Sequence, residues 1–197
     1  TILEPAFLYG GFPCKDMRHK FLLAQESHVE PLTKDCLPEN FEMIPLPGHF
    51  FDMVGFRTPD DVVYLADCLS SRETLDKYQI SFIYDVGSYL ATLEMVKELQ
   101  AKYFVPAHAE ATDDIRELAQ HNIDKVHQIA EKILELCAEP LCFEDILQRL
   151  FTEYALTMNF EQYLLVGSAV RSYLSWLKDT GKLNARFEHN KLLWKKV

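Results

Sequence analysis

The chain has 197 residues, 48% apolar and 25% charged, enough apolar material for one sizeable core or a domain plus a smaller one. Its net charge of −10 argues against a general binder of nucleic acid or anionic membranes, because nonspecific phosphate binding rests on a basic surface. Five cysteines without a C-x-x-C pair, no signal-like N-terminus and no apolar run near the roughly 18–20 residues of a membrane helix point to reduced thiols, a cytoplasmic location and no membrane span.

Residues 1–15 mix two prolines and a Gly-Gly pair with scattered apolar positions, so they read as irregular. Residues 19–25 read as a short strand, and Ser27 as the cap of a brief helix through Lys34. Residues 41–46 form an apolar strand that stops at Pro47-Gly48 and delivers His49. Val54-Gly55-Phe56 follows, then an Asp60-Asp61 turn and the strand of residues 62–66, which ends on Asp67. Residues 68–79 are a polar, short-helical connection, and residues 80–84 (ISFIY) a further strand. Ser88 starts a helix to about Lys102 with Leu90, Leu93, Val96 and Leu99 on one stripe. A strand at residues 103–106 then leads to His108. Short apolar strands alternating with amphipathic helices give an α/β fold.

From Asp113 the texture changes. A long helix runs to about Cys137, a second covers residues 143–154, and a third covers residues 160–178 with Gly181 at its end. The closing residues alternate weakly around a turn at residues 188–191, as a small hairpin does. Three helices and a hairpin form a winged-helix pattern, so the chain divides into residues 1–112 and residues 113–197.

His49, Asp67 and His108 each directly follow a short apolar strand. Taken singly, each has an ordinary reading as a turn or capping residue. Together, two imidazoles and a carboxylate suit zinc or a related divalent metal, and an Asp between two His ligands can bridge a pair of ions that activates a shared water.

These motifs resemble the C-terminal half of the metallo-β-lactamase superfamily, over roughly residues 15–112. LPGHFFDMVGF is similar to the family's His turn with Gly55 in the next strand, VVYLAD to its Gly-Asp motif, and FVPAHAE to its final His motif. The resemblance implies half of an αββα sandwich, with His49 on a first metal, Asp67 bridging and His108 on a second, so that one or two zinc ions are the expected cofactor. Ala66 and Ala107 stand where the family has glycine; both are small and are expected to cost little. The family's H-x-H-x-D-H motif is absent from these residues. The chain starts on Thr1 rather than Met, and it reads as the C-terminal portion of a longer hydrolase of esters, thioesters or related small molecules. On that reading no residue is catalytic in this chain alone, and the N-terminal half of the fold is its chief partner.

Cys68, Phe50 and Phe51 are candidates to line a substrate pocket, with a buried core role the favoured reading for each. Asp85 is either an acid supporting the site or a plain helix-start residue. In the tail, Arg171 and the basic set Lys182, Arg186, Lys191, Lys195 and Lys196 keep an RNA-cutting alternative open. The third helix offers few base-reading side chains, however, so packing or homodimerisation is the preferred role. A non-catalytic interaction module is the remaining alternative.

Overall fold

The structure is a computed structural model and describes residues 2–18, 23 and 27–197. A four-stranded sheet has the order β1 (Glu42–Pro45), β2 (Val54–Arg57), β3 (Val62–Ser70) and β4 (Tyr103–His108). The first three strands pair antiparallel, and β4 lies parallel to β3 with Val63 beside Phe104. A parallel pair needs a crossover. It is supplied by α2 (Arg72–Tyr78) and α3 (Val86–Glu98), with α3 packed on β3. Pro45 is tolerated because β1 is an edge strand of this sheet, where a missing N–H costs no ladder bond.

The remaining helices are α4 (Arg116–Leu136), α5 (Phe143–Glu153) and α6 (Phe160–Asp179), followed by the hairpin β5 (Leu183–Glu188) and β6 (Lys191–Lys196). Asn159 caps α6 by accepting from the Gln162 N–H at 2.8 Å. Both hairpin turn residues, His189 and Asn190, have positive φ, which matches the turn to the strand twist. Leu141, between α4 and α5, exchanges two backbone hydrogen bonds with Trp194 and so ties the hairpin to the helices. One continuous cluster of buried side chains runs from Leu46 to Leu183, and α4 touches β3, α3, α5, α6 and β6.

Four expectations change. Residues 3–9, read as irregular, form a helix, α1 (Leu3–Tyr9), which packs on α6 through Leu8 and Leu164. Tertiary burial overrides the weak local signal here. The helix expected from Ser27 is not formed. The chain there is irregular, Val29 is exposed, and only a single 3-10 turn appears at Lys34–Cys36. With no apolar face to bury, a short helix lacks its main source of stability. Residues 80–84 make no strand. Ile80 and Ile83 are the buried pair, a spacing of three that a two-residue period cannot satisfy, and Gln79 enters at positive φ. Finally α3 starts earlier than Ser88, because Asp85 is its cap. The strand expected at residues 19–25 lies outside the described residues, apart from Leu23.

Ala66 also departs from expectation. It sits at φ +47, at the break in register between β3 and β4, just before Asp67. A side chain in the left-handed region costs about 1 kcal/mol that glycine avoids. Ala66→Gly should therefore stabilise the chain by about 0.5–1 kcal/mol, read as a higher urea midpoint at unchanged m-value, despite the greater freedom it gives the unfolded chain.

Candidate functional site

The site is built from the loop after β1, from the middle of β3, which runs on to Ser70 instead of stopping before Asp67, and from the end of β4. After β1 the chain turns through Pro47-Gly48 with Gly48 at φ +122, and a Cβ there would lie 2.3 Å from the Tyr89 backbone. This close approach lets the Gly48 carbonyl accept from the Tyr84 and Asp85 N–H groups, each at 3.0 Å. The buried Thr92 hydroxyl donates to the Pro47 carbonyl at 2.6 Å. The loop carrying His49 is thus pinned to the first turns of α3. Gly55 supports it from β2: a Cβ there would meet the Tyr64 carbonyl oxygen at 2.3 Å, so only glycine lets β2 lie against β3 here.

His108 Nε2 lies 3.2 Å from Asp67 Oδ1. The β3–β4 register brings His108 beside Ser70, and the Ser71 N–H donates to the His108 carbonyl at 2.9 Å. His49 interacts electrostatically with both residues. Burial lowers its pKa, the His108 charge adds to that, and Asp67 with a Phe82 backbone hydrogen bond oppose it without prevailing. His49 is therefore a neutral imidazole at pH 7, the form that binds metals. The structure thus brings His108 and Asp67 into contact and His49 near them. Among the described residues, however, no three His, Cys, Asp or Glu side chains gather closely enough to hold an ion by themselves.

A cavity of about 570 Å³ opens beside His49 and Asp67, lined also by Phe50, Phe51, Phe82 and Glu4. Phe50 and Phe51 line this cavity and are half-exposed. Cys68 is fully buried, and desolvation pushes its thiol up to about 12, as an inert core residue. Burial pushes the Asp85 carboxyl up, but the hydrogen bonds it accepts from the Ser88 hydroxyl at 2.7 Å and the Ser88 N–H at 3.1 Å, with the Gly87 N–H, together hold it below the ordinary range. Its carboxylate is spent on capping α3. Phe82 and Glu4 were not singled out from sequence. Phe82 lay within an apolar run that reads as strand, and Glu4 in a segment without periodicity.

In the tail, the Arg171 guanidinium stacks 3.8 Å over the Phe143 ring, and Lys182 lies over Trp176. Arg186 pairs with Glu188 at 2.8 Å, and Glu188 also stands opposite Lys191 in the hairpin. Alternation puts Lys191 and Lys195 on one face of β6 and Lys196 on the other. The basic set does not form one uninterrupted surface.

No protein-family model and no curated protein sequence matches the chain. Solved structures do. A metallo-beta-lactamase family protein from Thermus thermophilus superposes with a TM-score of 0.62 at 16% identity, over 80% of this chain and 49% of that one. A beta-lactamase domain protein from Burkholderia ambifaria gives 0.67 at 14% identity, over 80% and 47%. The chain thus spans about half the length of these structures. A match over 80% is more than residues 1–112 could supply, so the likeness reaches into the C-terminal helices. These residues, over about 80% of the chain, have the metallo-β-lactamase fold.

Proposed function

We propose that the chain is the C-terminal portion of a metal-dependent hydrolase acting on an ester, thioester or related bond. The observation that carries this is the pairing of His108 with Asp67 at 3.2 Å, beside a His49 kept neutral by burial, on a fold whose solved neighbours are metallo-beta-lactamase proteins. In kind these donors fit zinc or a similar divalent ion; in number they are half a site. On this reading His49, Asp67 and His108 hold metal together with ligands from outside these residues. The metal supplies Lewis-acid polarisation of a substrate oxygen and a lowered pKa for a coordinated water. The chain's own share is to fix His108 against Asp67, to keep His49 deprotonated, and to line the cavity with Phe50, Phe51 and Phe82.

The longer protein containing this chain, purified without chelator, should carry stoichiometric divalent metal and lose at least one ion per chain in the Asp67→Ala variant. Unchanged metal content in that variant would contradict the assignment of Asp67.

The order of α4, Leu141, α5, α6 and the hairpin, with Leu141 bridged to Trp194, supports reading residues 113–197 as a winged helix. We take it as a packing element rather than a nucleic-acid reader, because Arg171 is committed to Phe143 and the basic strand face is interrupted by Glu188. Salt-sensitive RNA retention that disappears when Lys191 and Lys195 are replaced would overturn that reading.

A further inference from the structure

The geometry points to the cavity beside His49 and Asp67 as a binding site for a neutral or cationic aromatic group of a small molecule. This deepens the hydrolase reading and rests on it only for the chemistry that follows binding. Phe50 and Phe51 contact each other at 4.6 Å between ring centroids, Phe51 meets Tyr84 at 4.3 Å with the rings tilted by 53°, and Phe7 of α1 adds a third ring to both phenylalanines. Phe82 continues the wall and meets the His49 ring edge-on at 5.5 Å. Phe7, Phe50, Phe51 and Tyr84 are each between 36% and 44% exposed, so the cluster forms an open aromatic surface instead of closing into a core.

Contiguous exposed rings of this kind mark binding surfaces. A cavity of about 570 Å³ is the size of a small-molecule pocket. The charged groups that line it, Glu4, Asp52 and Asp67, are all acidic, and none of the described lining residues is Lys or Arg. Flat apolar ligands gain from ring stacking and desolvation there, and a cation gains further from the ring faces and carboxylates. In the metal-free chain a phosphate or carboxylate on the same group meets only like charge.

The test uses the 197-residue chain in chelator, so that neither metal loading nor hydrolysis enters, and follows three naphthalene probes by NMR. 2-Naphthol and 2-naphthylmethylammonium should shift resonances of Phe51 and Phe82 saturably, while 2-naphthyl phosphate binds roughly tenfold or more weakly. Phe51→Ala should weaken 2-naphthol roughly tenfold. Asp52→Lys, at an exposed position where folding is not at risk, should narrow the gap between the neutral and phosphorylated probes.

No saturable binding of 2-naphthol, binding unaffected by Phe51→Ala, or an anion preferred over the neutral probe would each overturn the proposal. Because metal content is measured separately, a chain that binds 2-naphthol within a protein that carries no metal would sink the hydrolase reading and leave the aromatic site standing. The opposite pair of results would do the reverse.

Discussion

Gly48→Ala should destabilise the chain by roughly 3 kcal/mol or more and dismantle the His49 loop with it. Two costs add. Gly48 sits at φ +122, a region that L side chains rarely adopt, and such strain is worth about 1–3 kcal/mol. The new Cβ would also stand 2.3 Å from Tyr89 N and Cα and 2.7 Å from its Cβ. Those atoms belong to the opening turns of a helix and cannot swing aside as a flexible side chain would, so overpacking adds about 1–3 kcal/mol. Moving α3 away would break the hydrogen bonds from Tyr84 and Asp85 to the Gly48 carbonyl and from Thr92 to Pro47. The readouts are the urea midpoint and the His49 imidazole resonance, and both should change. A variant with the parent's midpoint would show that the turn is not packed against α3 as described.

The second large effect is expected far from the site. Ile133, on α4, is fully buried in the cluster that joins the sheet to the tail. Ile133→Ala should cost about 2–5 kcal/mol, the usual range for deleting a buried aliphatic side chain without refilling the space. Because α4 packs on β3 as well as on α5, α6 and β6, the loss should be shared. Denaturation followed by the fluorescence of Trp176 and Trp194, both in the tail, and by far-ultraviolet circular dichroism should remain one coincident transition, shifted to lower urea. Two separated transitions would mean that residues 113–197 fold as an independent unit. A single one supports the tail as a packing element of the whole.

The long amphipathic helices were legible in the sequence because their apolar period is regular, although of the three only α6 carries a side-chain cap: α4, α5 and α6 fall within a few residues of their expected bounds. His49, Asp67 and His108 stand out in the sequence because each follows an apolar run; in the structure His49 lies in the loop after β1, Asp67 inside β3 and His108 at the end of β4, and the β3–β4 pairing brings the last two together.

What the sequence withheld was set by contacts between distant segments. α1 has little helical signal of its own and is held by Leu164 across the chain. Residues 80–84 look like a strand in composition, but the Tyr84 N–H is spent on Gly48. Ala66 reads as a harmless exchange for glycine until its φ is known. The aromatic wall combines rings from α1, from the His49 loop and from the segment before α3, which no local pattern connects. Arg171 has the look of a recognition-helix cation, and only the position of Phe143 on a neighbouring helix shows that it is occupied.

The central claim is that His49, Asp67 and His108 act together as metal ligands. It is tested most directly by titrating zinc into the metal-stripped longer protein that contains this chain while observing the His49 and His108 imidazole resonances. His49 and His108 should respond together and saturate at one common zinc concentration. Asp67→Ala should weaken that response by at least the roughly 10–100-fold that losing a partner of a metal-binding histidine produces. If zinc leaves His49 and His108 unmoved, or moves them at unrelated concentrations, the three residues do not form a shared site.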